Sequence, residues 1–331
     1  MEQAGVSIRL ASGAYLLRQQ LASSAYGVLW RADGPGAVGP VAIKLVNRAQ
    51  MADADARQRE RWIDGAQSEI AFLRALEPWD RRHIVRLLDN GEHEGLPVLA
   101  LELLDGDLGR HMAAARASGR TIPFAQVLDW TAQVNQALGK VHQYGWRYLD
   151  LKPGNLLLDA SRGALKLGDF GTNRALADPH PHSYAGTASW QAPEQFFPEA
   201  DQGYLTDART DYFALGALFY YLVTGGQLLR YCNACGEAWR AHGAAGAVLL
   251  RKQHGGALPP VLSADEEGMF QRRIAADGAD TGSAHAALAM LRALVSTRPE
   301  HRPRHALDIS RMIARIRESV DRSANGWRSA A

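Results

Sequence analysis

The strand-rich pattern of this chain ends near Gly106 and a helical period takes over from Pro123, and that change constrains the fold more than any other feature. Before it, short apolar runs alternate with turn residues: LLRQQL and VLWRA flank SSAYG, DGPGAVGP leads into VAIKLV, and HIVRLLD and PVLALELL follow. Alternation bounded by Gly, Pro and Asp predicts strands, with a hairpin at SSAYG. One helical pattern interrupts them, opened by the polar stretch 53–61, in which Ile63, Ile70, Leu73 and Leu76 can share a face. From Pro123 onward Phe124, Val127, Leu128, Val134, Leu138 and Val141 recur at helical spacing and predict one long helix ending near Gly145. Further helices are predicted over 211–224, 286–296 and 306–320. In the last, Ile309, Met312, Ile313 and Ile316 form a stripe read as core packing, with Arg311, Arg315 and Arg317 on the solvent side. A strand-rich third followed by a helical remainder predicts an α+β chain of two lobes with a cleft between them. The division is 1–104 for the first lobe, 105–321 for the second with an insert around 226–285, and a mobile tail over 322–331.

Composition narrows the partners. The 331 residues are 47% hydrophobic and 22% charged, ordinary for a soluble protein, and a formal charge of +2 calls for neither nucleic acid nor membrane. MEQAGVSIRLASGAY lacks the basic start and apolar run of a signal peptide, and no stretch reaches the roughly 18 apolar residues of a membrane span. Two cysteines, Cys232 and Cys235, make no disulfide framework, so a reducing, cytoplasmic setting is expected.

The chemistry concentrates in YLDLKPGNLLLD, which sets Asp150, Lys152 and Asn155 on one polar turn beside an apolar strand. Carboxylates and amides gather where a divalent cation is held through oxygen. A second acidic turn follows in LKLGDFGTNR, with Asp169 between an apolar strand and a glycine. Upstream, VAIK places Lys44 on a strand whose apolar neighbours fix its stem. Such a lysine needs a counter-charge. Glu69 in SEIAFLRAL is favoured over Glu60, because its apolar neighbours turn it inward. A cation for phosphate oxygens, two metal ligands and a free carboxylate are the equipment of phosphoryl transfer.

These residues, in this order, resemble the eukaryotic-type Ser/Thr protein kinase superfamily, from about Tyr15 to Ser319. VAIK matches the family's lysine motif, YLDLKPGN its catalytic loop, DFG its metal-binding turn and QAPE its A-P-E motif. Asp211 in TDYFALG and Arg302 in HRP match positions that brace the helical lobe, and Glu194 with Arg302 is read as a buried structural pair. The resemblance implies the bilobal kinase fold, a small antiparallel sheet with its C helix and a larger helical lobe. It implies ATP with Mg2+, Mn2+ being the alternative ion, and a protein substrate presenting serine or threonine. Lys44, paired with Glu69, would contact the α- and β-phosphates. Asp169 and Asn155 would each hold a metal ion, Asp150 would receive the hydroxyl proton, and Lys152 would meet the γ-phosphate. Leu21, Ala22, Ser24, Gly27, Leu29, Ala42, Lys44, Leu101, Glu102, Leu104, Asp107 and Leu157 would line the nucleotide, the backbone of Glu102 and Leu104 pairing with adenine and Asp107 reaching the ribose. Lys152, and Thr187 in GTASWQAPE, follow the serine/threonine form of the family.

Three departures qualify the match. Leu149 stands where most members carry the arginine that gathers an activation-loop phosphate, so activity is expected not to depend on phosphorylation between Thr172 and Gln191. In LASSAYGVL, Ala22 and Ser24 replace two glycines and only Gly27 remains, which predicts weaker ATP binding. YCNACGEAW reads as a C-x-x-C-G turn, half of a zinc knuckle without its second pair. It lies in the 226–285 insert, read as a place for a regulator or substrate to dock. The rival readings are a nucleotide-binding pseudokinase and, against GTASWQAPE, a kinase of small molecules.

Overall fold

The computed structural model describes the backbone at 3–24, 27–198 and 203–328, with side chains described up to Val320 apart from Ala37. The chain forms two compact units, Met1–Asp105 with Leu167–Asn173, and Gly106–Lys166 with Arg174–Ala331. The segment 167–173, counted with the second lobe in the sequence division, thus belongs to the first unit.

In the first unit, β1 (Ser7–Leu10), β2 (Gly13–Ser23), β3 (Gly27–Asp33), β4 (Pro40–Val46), β5 (Leu87–His93) and β6 (Leu96–Glu102) form one sheet in the order β1-β2-β3-β4-β6-β5. Every pairing in it is antiparallel. The tip of the β2–β3 hairpin, Ala25 and Tyr26, lies outside the described residues. Glu94 and Gly95, at φ 51° and 77°, make the two-residue turn between β5 and β6, a geometry that matches strand twist. Val41, Ile43 and Leu45 of β4 turn into a core with Ile8, Tyr15, Leu17, Trp30, Val98 and Ala100. By the same alternation Ala42 and Lys44 face the other way.

Two helices follow β4. Asn47 caps α1 (Arg48–Asp53), and Asp55 caps α2 (Ala56–Ala75) by accepting the Gln58 N–H. The pattern predicted to open at 53 therefore begins at a cap two residues later. Helix α2 packs along β4, β5 and β6. Leu167 bonds both ways to the chain beside it, donating to His83 and accepting from Val85, each at 2.9 Å. Those two bonds tie the 167–173 segment to the first unit.

The second unit holds α3 (Leu108–Ala117), α4 (Phe124–Gln143), β7 (Trp146–Arg147), β8 (Leu156–Asp159), β9 (Ala164–Leu167, ending at the unit boundary) and β10 (Arg174–Ala175). Then come α5 (Pro193–Phe196), α6 (Ala208–Val223), α7 (Arg230–His242), α8 (Gly246–Gln253), α9 (Ala264–Ala276), α10 (Thr281–Leu294) and α11 (Ala306–Arg328). Helix α6 is apolar almost all round and buried along most of its length, as suits a helix enclosed by others. Its start is fixed by a capping box in which Asp207 and Thr210 satisfy each other's backbone N–H.

Helix α11 continues as helical backbone through 322–328, the stretch set apart in sequence as a tail; Ser329, Ala330 and Ala331 lie outside the described residues. One expectation is corrected here. The C-x-x-C-G stretch is no turn: Cys232 and Cys235 lie inside α7, both buried.

Candidate active site

The first unit builds a charged triad on its sheet. Leu29, Lys44 and Leu99 are direct cross-strand partners, as are Arg31, Ala42 and Leu101, and Ala22 pairs with Leu29. Cross-strand partners share a face, so Ala22, Leu29, Ala42, Lys44 and Leu101 lie on the face opposite the hydrophobic core. The Lys44 Nζ donates to Glu69 Oε2 at 2.6 Å and to Asp169 Oδ1 at 2.7 Å. Glu69 is wholly buried on α2, whereas Glu60 is exposed.

Burial disfavours the ammonium of Lys44, but the charges of Asp169 and Glu69 outweigh it and hold the lysine above its usual range. Burial also pushes the Glu69 carboxyl up against the pull of Lys44. The lysine therefore stays a cation, the form a phosphate needs.

The DFG turn is seated by close packing. Phe170 lies against Phe72 of α2, ring centroids 4.7 Å apart. A Cβ at Gly65 would come within 2.9 Å of the Gly171 carbonyl. Glycine inside a helix costs about 1 kcal/mol relative to alanine; here it lets α2 approach the turn. Asp169 adopts φ 58°, a left-handed conformation uncommon outside glycine and asparagine.

The hairpin that would cover phosphates closes on itself. Ser24 N–H donates to the Gly27 carbonyl at 2.9 Å, and Gly27 N–H donates to Ser24 Oγ at 3.1 Å. Asn47 Nδ2 donates to the Ser24 carbonyl at 2.6 Å. Serine in place of glycine thus takes up a backbone donor that a bare loop would present. Leu21 is half-buried on β2. Glu102 donates its N–H to Arg86 O at 3.0 Å, which leaves its carbonyl as the backbone group for the adenine contact that the resemblance implies.

In the second unit, Asp150 gathers three donors. Lys152 Nζ reaches its Oδ2 at 2.7 Å, Asn155 Nδ2 the same oxygen at 3.0 Å, and Thr187 Oγ1 its Oδ1 at 2.7 Å. Lys152 also donates to Thr187 Oγ1 at 2.7 Å. Sequence reading brought Asp150, Lys152 and Asn155 together and gave Thr187 to the serine/threonine form of the family; all four meet. Asp107 and Leu157 meet in a bridge between the start of α3 and β8. The Asp107 carboxylate accepts the Arg110 N–H at 2.9 Å, so it serves as the N-cap of α3 beside any part it plays toward a ribose.

What holds the Asp150 turn was only partly foreseen. Asp211 accepts from the backbone N–H of Tyr148 at 2.8 Å and of Leu149 at 2.7 Å, and its Oδ2 lies 2.8 Å from His142 Nε2. Gln195 Nε2 donates to the Leu149 carbonyl at 2.6 Å. Leu149 needs both clamps, because it is buried at φ 68°, a conformation that costs a non-glycine residue about 1–2 kcal/mol. His142 and Gln195 were missed; Gln195, two residues after the proline of QAPE, carried no signal but its nearness to that motif. Arg302 grips Glu194 through both terminal nitrogens at 2.6 and 2.9 Å and lies over the Phe213 ring.

Comparison with known proteins accords with this arrangement. The protein kinase domain family matches residues 17–304, and the chain belongs to that family. It is 32% identical over 235 residues to the serine/threonine-protein kinase PkaA of Streptomyces coelicolor, covering 66% of this chain and 40% of that one. With the serine/threonine-protein kinase PknJ of Mycobacterium tuberculosis it shares 29% over 255 residues, 75% of this chain and 38% of the relative. The match thus spans about two fifths of the length of these relatives. Among solved structures, the PknI kinase domain of Mycobacterium tuberculosis superposes with a TM-score of 0.61 at 23% identity, over 96% of this chain and 100% of that one. The bilobal kinase fold is therefore the fold of this chain. No helix among the described residues is long and apolar enough to cross a membrane.

Proposed function

We propose that this chain transfers the γ-phosphoryl group of ATP to serine and threonine hydroxyls of proteins. The observation that carries the reading is the Asp150 carboxylate, held at once by Lys152, Asn155 and Thr187. A carboxylate oriented so completely is suited to align an acceptor hydroxyl and receive its proton. Lys152, already beside it, would stabilise charge on the phosphoryl group in flight, and Lys44, kept cationic by two carboxylates, would bind the phosphates nearer the nucleoside. Family membership and relatives named serine/threonine-protein kinases support the same reading.

Asn155 and Asp169 supply the oxygen donors a hard cation takes. Asn155 turns its Nδ2 onto Asp150, which leaves its Oδ1 as the ligand atom. Mg2+, or Mn2+ in its place, would neutralise phosphate charge when bound. The reading further holds that ATP binds weakly, since Ser24 occupies the Gly27 N–H, and that no phosphate on 172–191 is needed. Neutral groups support that last point: the Gln195 and Gln191 amides both donate to Ala185 O, at 2.9 and 2.7 Å. Two free cysteines suit a reducing, cytoplasmic setting.

The test is transfer of labelled γ-phosphate from Mg-ATP to the chain itself and to a generic basic protein, beside Asp150→Asn. Label on serine or threonine that vanishes in the variant is expected. Nucleotide binding without label in either protein would replace this reading with a pseudokinase. Loss of activity after complete phosphatase treatment would overturn the independence from phosphorylation.

A further inference from the structure

The C-x-x-C-G stretch finds no part in phosphoryl transfer, and among the described residues no group of three or more His, Cys, Asp or Glu could hold a metal there. Its spacing on a helix is informative. Cys232, Cys235, Gly236 and Trp239 stand at i, i+3, i+4 and i+7 on α7 and therefore share one face. The first three are buried, and Gly236 and Trp239 meet the segment on either side of Thr187.

Two contacts define the meeting. The Tyr184 ring lies flat on the Trp239 indole, centroids 3.7 Å apart and planes 7° from parallel, while Tyr204 meets Tyr184 edge-on at 5.7 Å. One turn earlier on α7, a Cβ at Gly236 would stand 2.1 Å from Ser189 Oγ. Glycine lets the helix seat closely on the 188–190 turn with the Ser189 hydroxyl turned toward it.

Between these anchors the chain passes straight to the catalytic carboxylate. Ala185 O receives the Gln191 and Gln195 amides. Gly186, at φ 95°, lies so close to Leu149 O that a Cβ there would come within 2.4 Å of it. The next residue is Thr187, whose hydroxyl donates to Asp150. Two residues separate the stacked ring from the hydroxyl, and each is fixed to the Leu149 side of the turn.

We propose that α7 is a positioning element for the catalytic turn: Trp239 holds Tyr184, and through 185–187 this holds the Thr187 hydroxyl on Asp150. The inference rests on the kinase reading and deepens it. It assigns to an aromatic stack the work that a cation at position 149 would do by gathering a charged segment. Leu149 offers no charge, and the hold built here is flat and neutral. Trp239 touches no reacting atom; it acts through Tyr184.

The experiment compares wild type with Trp239→Ala, Trp239→Phe, Tyr184→Ala and the Trp239→Ala/Tyr184→Ala double variant. Each is assayed for kcat and for KM of ATP on a basic protein substrate, with hydrogen exchange followed over 183–192. Misplacing Thr187 by a fraction of an ångström should lower kcat about 10-fold or more in Trp239→Ala. KM for ATP should stay within about 2-fold, since the nucleotide contacts are untouched. Trp239→Phe should restore most of kcat, and the double variant should be no worse than either single, because both cut the same link. Exchange should quicken at 184–188 while the melting temperature changes little.

Unchanged kcat in a folded Trp239→Ala would overturn the proposal. So would a parallel loss of kcat, ATP affinity and melting temperature that phenylalanine does not rescue, which would make Trp239 plain scaffold. If Trp239→Ala does not fold, Tyr184→Ala makes the same cut from the other side. A wild type that transfers no phosphate would defeat the kinase reading instead. Exchange would then decide the clamp: quickening confined to 184–188 supports it, and no change overturns it.

Discussion

Thr187→Val tests the catalytic arrangement with the smallest change in shape. Valine keeps the branched volume of threonine and removes one hydroxyl, which donates to Asp150 Oδ1 and accepts from Lys152 Nζ, both at 2.7 Å. A hydrogen bond to a charged group contributes about 1.5–3 kcal/mol. The Asp150 carboxylate would keep Lys152 and Asn155 on Oδ2 and lose Thr187 from Oδ1, which loosens its orientation. If that orientation is needed only as the proton leaves, the whole contribution appears in the chemical step. At about 1.4 kcal/mol per factor of ten, kcat falls roughly 10- to 150-fold. The assay is steady-state phosphorylation of a serine-containing protein over a range of ATP concentrations. Thr187→Ser should stay close to wild type, and KM for ATP should hardly move in either variant. A Thr187→Val protein as fast as wild type would refute the view that this hydroxyl orients Asp150. A valine variant that lost ATP affinity instead would place Thr187 in nucleotide binding.

Three further outcomes follow from the geometry. Glu194→Ala should cost about 3–5 kcal/mol in denaturant unfolding, because it leaves the Arg302 guanidinium buried without its carboxylate; a loss under about 1 kcal/mol would mean that the carbonyls of Ser296, Arg209 and Thr297 satisfy it alone. Burial holds the His182 pKa below its ordinary range, with Arg174 and Arg147 adding to the shift while the Ser183 carbonyl and Asp178 oppose it. Its Nδ1 must carry the proton it gives to Ser183 O, so Nε2 accepts from Thr206. The unfolded chain takes up a proton first, so stability is full above about pH 6.5 and falls by up to about 1.4 kcal/mol per unit below it, until the folded pKa is passed; unfolding curves from pH 7.5 to 5 that differ in no way between wild type and His182→Gln would rule this out. Restoring glycine at Ala22 and Ser24 should lower KM for ATP by releasing the Gly27 N–H, and an unchanged or higher KM would show that the self-closed hairpin does not hinder nucleotide.

Much of this was legible because it is local. Lys44 on a β-branched strand and Glu69 on the inward face of α2 follow from periods of two and 3.6, and their 2.6 Å pairing needed no further information. The Asp150–Lys152–Asn155 turn is likewise written in adjacent letters. What escaped was set by tertiary contact. Gly236 makes CNACG look like a turn, since glycine is a poor helix former, yet it lies inside α7 with the Ser189 hydroxyl packed against it. Gln195 looks like any surface amide until its two carbonyl partners are known. Asp107 was read for a ribose because its capping of α3 depends on where that helix begins.

The two thiols of α7 have one more consequence. They are the only cysteines in the chain, both are fully buried, and burial pushes Cys235 up to about 12 and Cys232 well above its ordinary range. Near pH 8 neither is a thiolate while the helix is docked, so an alkylating reagent has nothing to attack. Once α7 lifts away, both return to ordinary cysteine chemistry. The rate at which such a reagent consumes the native protein is then a clock for the undocking of the helix that holds Tyr184, one carried in the natural sequence and readable without any added label.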